Sequence, residues 1–367
     1  MKKGLCEICH PKQWKTISSD MLEPQGYPVY GANGVIGYYS EYNHEKATLL
    51  ITCRGATCGA LNICKPFSYV NGNAMALDSL SPEVDLKYLY YYLLARGLSD
   101  AITGSAQPQI VRQSLGKVII DYPILEEQLR IAATLDKVSD LIAKRREQLD
   151  KLDELVKARF VEMFGDLGNP LCKYPKYSLA KLCMTPDDIK CGPFGTQLNK
   201  NEYQKNGVAL WEIPQINSGF KLKPTHFLTK EKAEKLRAYS LEPGDIAMSR
   251  KGNVGQCGIF PAGYKSGIIH SDVLRIRVDR RRVNPCFMMY QLHLSSAVQH
   301  QIEKVSSGAI MAGINVTKLK EIEVPELNLQ TQFADFFDYT DKSKLTIQQS
   351  LDKLEVLKKA LMQQYFG

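Results

Sequence analysis

The sequence lacks any long apolar segment. No stretch of its 367 residues approaches eighteen uninterrupted apolar positions, so it predicts no membrane-spanning helix. The opening residues, MKKGLCEICHPKQW, include lysines but not the apolar core of an export signal. We therefore expect a cytoplasmic protein whose ten cysteines are reduced thiols.

The sequence also lacks the motifs of enzymes that act on DNA. It has no Pro-Pro pair, which the catalytic loop of an N6-adenine methyltransferase would contain, and no Walker A loop for an ATP-driven motor. Its six histidines show no HExxH spacing, and no nucleophile elbow accompanies His270-Ser271-Asp272. The sequence therefore predicts no catalytic residues.

Metal-binding patterns are incomplete. CEICH, at residues 6–10, has the spacing of c-type haem attachment, which normally requires export. A zinc site from Cys6, Cys9, Cys53 and Cys58 would lack a second Cys-x-x-Cys pair. We predict no metal site and ordinary thiols.

The composition is that of a globular protein with uneven charge. Hydrophobic residues make up 44% and charged residues 23%, and the length allows two or three domains. The formal net charge is +8, but residues 171–325 carry 23 Lys/Arg against 13 Asp/Glu, whereas residues 1–122 carry 11 against 10. A local basic excess fits a polyanionic partner; an ordinary solvated surface is the alternative.

One segment is present twice. LDKLDELVKARFVEMFG (149–165) recurs as LDKLEVLKKALMQQYFG (351–367), with nine of seventeen positions identical at an offset of 202. Upstream, PILEEQLRIA (123–132) aligns with PELNLQTQFA (325–334) at the same offset. Each proline closes an apolar run, which predicts that a strand ends there.

The repeated segments predict two long helices. Apolar residues follow a heptad spacing over about four heptads, which is typical of a coiled coil of about 40 residues per helix. No proline interrupts 124–164 or 326–366, and Gly165 and Gly367 stand where a C-cap glycine would. The predicted helix seam consists of Leu135, Val138, Ile142, Leu149, Leu152, Val156, Ile347, Leu351, Leu354 and Leu361.

The two helices are expected to pair with each other in an antiparallel arrangement, because a globular segment lies between them. The alternatives are that each packs on its own lobe or on another protein. The lobes resemble each other too: LLITCRGATCG (49–59) is similar to DIAMSRKGNVG (245–255), and 103–120 aligns with 307–324. We therefore predict an α+β fold with two tandem globular lobes, two antiparallel coiled-coil helices and pseudo-two-fold symmetry.

Four segments are similar to one protein family. PILEEQLRIAATLDKVSDLIAKRREQL and PELNLQTQFADFFDYTDKSKLTIQQSLDKLEVLKKALMQQYFG resemble the conserved helical regions of Type I restriction–modification specificity (S) subunits. CGPFGTQL (191–198) and GYPVYGANGVIGYY (26–39) resemble openings of the target-recognition domains of that family. The resemblance covers essentially the whole chain. The Pro-x-Leu-x-x-Gln helix opening, repeated after two lobes, is its most specific element.

The resemblance implies a DNA sequence-specificity subunit with no catalytic activity of its own. Each recognition domain would contact one half of a split double-stranded DNA target. The helices would set the spacing of the halves and dock methyltransferase (M) subunits, two of them expected, with a restriction (R) subunit as a further partner and no membrane contact. S-adenosylmethionine would bind the methyltransferase, and ATP and magnesium any restriction subunit, so no cofactor is expected in this chain.

The implied domains are recognition domain 1 (1–122), spacer helix 1 (123–165), recognition domain 2 (166–325) and spacer helix 2 (326–367). The first domain is the shorter, which leaves open whether it is complete. Two other classes stay open: a coiled-coil scaffold without nucleic acid, which the basic second lobe disfavours, and a stand-alone nuclease, which would cut DNA with magnesium unaided.

Candidate DNA-binding residues lie in polar turns next to predicted strands. Arg and Lys suit guanine, Asn and Gln suit adenine, and small hydroxyls and cations suit phosphate. The candidates are Arg54, Thr57, Ser105, Gln107, Gln109 and Arg112 in the first lobe, and Gln215, Asn217, Lys221, Arg250, Lys251, Asn253, Asn315 and Lys318 in the second. The basic run RIRVDRRR (275–282) is expected to meet phosphate, with a solvated strand and turn as the alternative.

Overall fold

The computed structural model of the chain describes residues 1–104, 107–165, 175–306, 313–325 and 330–367. These residues form two compact units: unit 1 contains residues 1–148 and 347–367, and unit 2 contains residues 149–346. Both units combine helices and sheets, which confirms the predicted α+β class.

The described residues of each unit form nine strands. Those of unit 1 are β1 (Lys2–Gly4), β2 (His10–Gln13), β3 (Tyr27–Gly31), β4 (Gly34–Tyr39), β5 (Leu49–Thr52), β6 (Leu61–Ile63), β7 (Tyr69–Val70), β8 (Ala74–Asp78) and β9 (Ile119–Asp121). Those of unit 2 are β10 (Lys176–Ser178), β11 (Ile189–Cys191), β12 (Val208–Trp211), β13 (His226–Leu228), β14 (Ile246–Ser249), β15 (Cys257–Ile259), β16 (Ile268–Ile269), β17 (Val273–Ile276) and β18 (Glu323–Pro325).

The helices differ widely in length. They are α1 (Leu5–Ile8), α2 (Leu86–Arg96), α3 (Arg112–Leu115), α4 (Leu125–Phe164), α5 (Ile213–Asn217), α6 (Lys230–Lys235), α7 (Pro285–Leu294), α8 (Ser296–Val305), α9 (Val316–Glu321) and α10 (Gln330–Phe366). The 40 residues of α4 and the 37 of α10 agree with the length predicted from the repeat.

The two units share one strand topology. In unit 1 the antiparallel sheet has the order β2-β8-β5-β6, a second sheet has the order β4-β3-β7, and β1 pairs with β9. In unit 2 the corresponding orders are β11-β17-β14-β15, β13-β12-β16 and β10-β18. In both three-stranded sheets one pair is parallel, β3 with β7 and β12 with β16. The shorter first lobe therefore contains all three sheets of the second, and part of the extra length of unit 2 lies in α5 and α6.

The central strands are buried on both faces. All four residues of β5 (LLIT) and all four of β14 (IAMS) are buried, which fits their near-continuous apolar sequence. Each strand lies between two antiparallel neighbours, so its backbone groups are paired on both sides. The residues that follow these strands therefore start from a rigid position.

The repeated glutamine of the Pro-x-Leu-x-x-Gln motif ties α4 to the lobe of unit 1. The Gln128 side chain is fully buried. Its Nε2 donates to the carbonyl oxygens of Glu83, at 2.8 Å, and Pro123, at 2.9 Å. Its Oε1 accepts the backbone N–H of Asp85, at 2.9 Å, and Asp85 is the N-cap of α2.

Gln330, which holds the same place in the second copy, makes matching contacts in unit 2. Its Nε2 donates to the carbonyl of Arg282 at 2.7 Å. Its Oε1 accepts the backbone N–H of Asn284, the N-cap of α7, at 2.9 Å. The glutamine therefore recurs because it binds the start of the packed helix in each lobe.

Within each unit the two long helices run antiparallel. In unit 1, Arg146 Nη2 lies 2.7 Å from Glu355 Oε1, and the end of α10 packs on the core that contains Leu135. In unit 2, Lys344 pairs with Asp153, and the Phe160 ring lies 5.3 Å from that of Phe333. As positions advance along α4, their partners move back along α10, as predicted.

The aromatic ends of both helices enter the lobe cores. The Phe164 ring meets Phe287 of α7 at 4.9 Å in unit 2, and the Phe366 ring meets Tyr88 of α2 at 5.5 Å in unit 1. Gly165 has a φ of 64° and donates its N–H to Val161 at 2.7 Å, so it ends α4 as an αL cap.

The ten seam residues divide by burial. Leu135, Val138, Ile142, Val156 and Leu351 are buried. Leu149, Leu152, Ile347, Leu354 and Leu361 are half-buried. The deepest of them are those next to the lobes, because Leu135 and Val156 join the lobe cores.

Candidate nucleic-acid interface

In unit 1 the turn after β5 meets the loop before α3. Arg54 and Gln109 form a β-bridge, and Ile110 donates its N–H to the Cys53 carbonyl at 2.9 Å. Both bridging side chains are exposed. The backbone pairing therefore presents a guanidinium and an amide side by side from two segments that are far apart in sequence.

The same edge of unit 1 carries three further exposed candidates, Thr57, Gln107 and Arg112. Arg112 is the first residue of α3, so its position is fixed by the helix start. Ser105 lies outside the described residues. Five of the six predicted residues of the first lobe thus lie on two paired segments.

Unit 2 repeats this arrangement with its own turn and loop. The turn after β14 meets the segment before α9 through a β-bridge between Lys251 and Gly313. Ile314 donates its N–H to the carbonyl of Arg250 at 3.1 Å. Lys251 and Asn253 are exposed at this turn.

The Arg250 side chain holds this junction together from inside. Its Nε donates to Ile314 O at 3.1 Å, and its Nη1 donates to Ser271 O at 3.2 Å. Its guanidinium lies over the Phe194 ring, 4.8 Å from the ring centre. Arg250 is half-buried, so its geometry is that of a positioning residue for the turn rather than of a free base-contacting group.

Asn315 and Lys318 belong to the start of α9. Asn315 caps the helix, because its Oδ1 accepts the backbone N–H of Lys318 at 2.8 Å. Lys318 Nζ lies 3.4 Å from the carbonyl of Val305. Asn315 is exposed and Lys318 is half-buried. Their contacts within the unit occupy the side-chain oxygen of Asn315 and the ammonium group of Lys318.

The predicted contact residue Gln215 is engaged within unit 2. Its side chain is buried; Nε2 donates to Lys223 O at 3.1 Å, and Oε1 accepts the N–H of Glu212 at 3.2 Å. Asn217 is exposed, and its Oδ1 accepts the Ser249 hydroxyl at 2.7 Å. Lys221 is exposed in the following turn.

The first two arginines of the run at 275–282 make contacts within unit 2, whereas Arg280 and Arg281 are exposed, so phosphate contact by this run stays a prediction. Arg275 is buried, with Nη1 donating to Ala238 O at 3.1 Å and to Ser240 O at 3.0 Å. Arg277 pairs with the buried Asp245 through two bonds of 2.7 Å. The sequence shows the charges but not the β17 strand that turns the first of them inward.

A cleft of unit 2 brings together polar residues that were not predicted as a set. Its volume is about 470 Å³, and its lining residues are Lys200, Tyr203, Glu212, His226, His270 and Asp272. His226 Nδ1 lies 2.7 Å from Glu212 Oε2, and the Tyr203 and His226 rings are 5.0 Å apart. The only sequence signal was His270-Ser271-Asp272, since the other residues come from separate strands and turns.

The cysteines have the environment of unreactive thiols. Burial raises the pKa of Cys9 to about 12 and that of Cys53 to about 11. The four cysteines with part of a zinc-site spacing, Cys6, Cys9, Cys53 and Cys58, form no disulfide bond. Across the described ranges, no group of three or more His, Cys, Asp or Glu side chains is arranged to hold a metal ion.

Both long helices expose apolar side chains. Those of α4 include Leu129, Leu141, Leu155 and Val161, and those of α10 include Tyr339, Leu345, Val356 and Leu357. A contiguous patch of such groups would mark a protein-binding surface, whereas singly exposed apolar residues are ordinary. In the part of the chain that the structure describes, no helix combines the length and apolarity needed to span a bilayer.

Comparison with known proteins gives one consistent answer. The family model of the Type I restriction modification DNA specificity domain matches residues 2–153 and 191–358. The EcoprrI specificity subunit of a Type I restriction enzyme from Escherichia coli is 34% identical over 145 residues, which cover 38% of this chain and 36% of that subunit. The MjaVIII specificity subunit of Methanocaldococcus jannaschii is 21% identical over 301 residues, 78% of this chain and 70% of that subunit.

A solved structure agrees in fold. The S subunit of a Type I restriction–modification system from M. genitalium has a TM-score of 0.63 at 17% identity, over 99% of this chain and 94% of that one. The resemblance inferred from the repeated helix opening is thereby confirmed, together with the expectation of a recognition subunit that is not itself an enzyme. With both of its lobes matched by the family model, the chain belongs to the Type I restriction modification DNA specificity domain family.

Proposed function

We propose that this chain selects the DNA sequence on which a Type I restriction–modification complex acts, and that each unit contacts one half of a split target. The observation that supports this is the duplicated junction of turn and loop, Arg54 with Gln109 in unit 1 and Lys251 with Gly313 in unit 2. Each junction follows a buried central strand and carries exposed donors that suit bases and phosphates.

The proposed contact residues are those that remain exposed at these junctions and, in unit 2, at the end of α5 and in the turn after it. In unit 1 they are Arg54, Thr57, Gln107, Gln109 and Arg112; in unit 2 they are Asn217, Lys221, Lys251, Asn253 and Asn315. Arg250 and Lys318 take supporting roles, because their side chains bind backbone carbonyls. The net positive charge of residues 171–325 supports phosphate contact by unit 2, with a binding constant that falls as salt rises.

The roles that we propose for the segments of the chain follow the domains predicted from sequence. Residues 1–122 and 166–325 act as recognition domains, and residues 123–165 and 326–367 form the spacer helices. We assign the exposed apolar residues of α4 and α10 to the docking of methyltransferase subunits, two per chain because the long helix is present twice. S-adenosylmethionine, and ATP with magnesium where a restriction subunit is present, belong to those partners in the cytoplasm.

The test is a methylation map. The chain is produced in cells with its methyltransferase subunits, and N6-methyladenine is mapped across the genome with and without it. We expect methylation of one motif made of two short parts separated by unspecified bases, lost when this chain is absent. A motif that stays methylated without this chain would overturn the proposal.

Docking is tested separately by Leu141→Glu, which places a charge on an exposed position of α4. We expect loss of co-purification with the methyltransferase subunit and an unchanged thermal unfolding temperature. Glu154→Lys is the matched control, since it also changes charge at an exposed site of α4 but removes no apolar side chain. Equal loss in both variants would contradict apolar docking through this helix.

A further inference from the structure

A tight hairpin of unit 1 occupies the place that α5 and its following turn occupy in unit 2. We propose that the tip of this hairpin, residues 32–36, is a further DNA-contacting segment, and that Val35 and Ile36 contact the methyl group of a thymine in the target half of unit 1. This inference rests on the proposed function in DNA recognition. It adds a segment to the contact surface of unit 1 and names the base that this segment requires.

The hairpin tip lies beside the junction of Arg54 and Gln109. The strands β3 and β4 are joined by a turn of two residues, Ala32 and Asn33. The Ala32 carbonyl accepts a hydrogen bond from the buried hydroxyl of Thr52, which is the last residue of β5. Since Arg54 follows Thr52 by two residues, the tip and the junction adjoin the same end of β5.

Unit 2 has a matching contact at the corresponding position. Ser249, the last residue of β14, donates its buried hydroxyl to Asn217 Oδ1 at 2.7 Å. Asn217 ends α5, which lies between β12 and β13, the strands that correspond to β3 and β4. Asn217 and Lys221 of this segment are proposed contact residues of unit 2, and the hairpin tip holds their place in unit 1.

A β-bulge at the tip leaves two neighbouring apolar side chains exposed. Val29 pairs with Gly37 and Tyr30 pairs with Val35, so Ile36 is an extra residue on β4. In a regular strand neighbouring side chains point to opposite faces, and a bulge interrupts this alternation. Val35 is 50% exposed and Ile36 is 47% exposed. Two adjacent β-branched side chains therefore present apolar surface next to the junction.

The Ile36 side chain is held against a glycine of the opposite strand. Gly31 is buried, and a Cβ added to it would lie 2.9 Å from Ile36 Cγ2, so the isoleucine side chain lies directly over the glycine backbone. A β-branched side chain also has few rotamers, so fixing it against a ligand costs little conformational entropy. Both features suit a side chain that contacts its ligand in one position.

The apolar surface selects among the groups that DNA offers. The side chains of Val35 and Ile36 have no donor or acceptor, so they do not match phosphate or the polar groups of the base edges. Thymine is the base that presents a methyl group in the major groove, where it suits an apolar contact. The exposed Asn33 of the same turn carries an amide, which suits the adenine that pairs with thymine. An adenine–thymine pair therefore fits this segment better than a guanine–cytosine pair.

The experiment removes the methyl group from one thymine at a time. The complex of the full chain with its methyltransferase subunits is titrated at fixed salt with target duplexes in which single thymines are replaced by uracil, which keeps the base pairing. We expect one position in one half of the target to lose about 3- to 10-fold in affinity, the range for one methyl group removed from water. In the double variant Val35→Ala with Ile36→Ala, the same replacement is expected to change the affinity less than about twofold.

Ile119→Ala is the control, because Ile119 is a similarly exposed isoleucine on β9, which belongs to a different sheet of unit 1. It is expected to keep the full loss on replacement of thymine by uracil. A second double variant, Val35→Thr with Ile36→Thr, keeps the β-branched shape and serves if the alanine variant does not fold. It is expected to reduce the loss, since a hydroxyl takes the place of an apolar group.

The hairpin proposal is overturned if wild-type binding is sequence-specific but no uracil position matters, or if the loss persists unchanged in the double variants. It is also overturned if the target half that changes in Arg54→Ala contains no adenine–thymine pair. Loss of the methyltransferase subunits from the double variants, with the effect of uracil unchanged, would overturn it in favour of a protein contact. A wild-type complex with no sequence preference at all would instead overturn the proposed function.

Discussion

Arg54 and Arg250 follow equivalent strands, yet their surroundings give them different tasks. Arg54 is exposed on unit 1, whereas Arg250 binds two carbonyls and covers the Phe194 ring in unit 2. The neighbouring Lys251 is exposed, and its Nζ lies 2.9 Å from Asp272 Oδ1. At this turn of unit 2, the residue that holds the backbone and the exposed residue proposed to contact DNA are therefore separate.

This separation predicts different outcomes for two substitutions. Arg250→Ala leaves two carbonyls without a donor, so we expect about 1–3 kcal/mol of destabilisation for each buried group and weaker specific binding. Lys251→Ala removes one ion pair and no contact to a backbone carbonyl, so it is expected to destabilise the protein less than Arg250→Ala does. It is expected to lower the slope of log affinity against log salt by about one. Urea unfolding measures the destabilisation, and a salt titration of DNA binding measures the slope. Equal destabilisation by the two variants would contradict the structural role given to Arg250.

The buried thiols make stability fall at alkaline pH. The pKa of Cys9 rises from 9.0 to about 12 and that of Cys53 from 9.0 to about 11, because burial disfavours the thiolate. The unfolded chain releases these protons above pH 9, whereas the folded chain holds them, so their stabilisation is complete below pH 9 and is lost as pH rises toward 11.

We therefore expect the unfolding temperature to fall over that range, with no alkylation of either thiol in the folded protein near neutral pH. Thermal scans at increasing pH and iodoacetamide labelling measure these effects. Cys9→Ala with Cys53→Ala is the comparison variant and is expected to show a smaller alkaline loss. Rapid labelling of Cys9 in the native protein would disprove the prediction.

At the scale of elements, the long helices could be predicted from sequence because their signals are local and repeated. The heptad spacing, the proline before each helix and Gly165 after the first act within a few turns of the chain. The structure places α4 at Leu125–Phe164 and α10 at Gln330–Phe366, within a few residues of the repeat boundaries. Their antiparallel pairing followed from the globular segment between them.

The sheets and the site could be predicted only in part, because their partners are distant in sequence. The sequence around residue 215 does not show that the Gln215 side chain donates to the Lys223 carbonyl. The charges of residues 275–282 do not show that Arg275 is the arginine that faces the core. The cleft depends on β12, β13 and the start of β17 lying together. The turn residues Arg54 and Lys251 were predicted because polar turns after apolar strands are exposed for local reasons.

The buried side chain of Gln128 joins α4 to the lobe of unit 1 through three hydrogen bonds. Gln128→Ala leaves the Asp85 N–H and two carbonyls without partners, and each buried unsatisfied group costs about 1–3 kcal/mol. We expect a destabilisation of at least about 2 kcal/mol in urea unfolding and faster amide hydrogen exchange at the start of α2.

Gln148→Ala is the matched control, since Gln148 is exposed on the same helix and only accepts a bond from Arg145. Its effect is expected to stay within about 0.5 kcal/mol. If both alanine variants unfold at the same urea concentration, the hydrogen bonds of the Gln128 side chain do not stabilise the packing of α4 on the lobe of unit 1.

Across the whole molecule, one topology appears twice with different surfaces. Both units repeat the three sheets, the glutamine contact and the aromatic helix end. The charge does not repeat, since residues 171–325 carry a net +10 and residues 1–122 a net +1. Duplication of the scaffold with divergence of the exposed turns is what two different half-sites would require.

If each unit contacts its own half of the target, substitutions in the two units must relax different halves. Arg54→Ala is expected to broaden the bases accepted in one half of the methylated motif, and Asn253→Ala those in the other, by about 1–3 kcal/mol of discrimination at the affected position. Lys46→Ala controls for the first, because it removes an equal charge from another exposed site of unit 1. Methylation maps of the three variants decide the matter. Relaxation of the same half by both Arg54→Ala and Asn253→Ala would show that the units share one half-site, because independent units cannot change each other's base contacts.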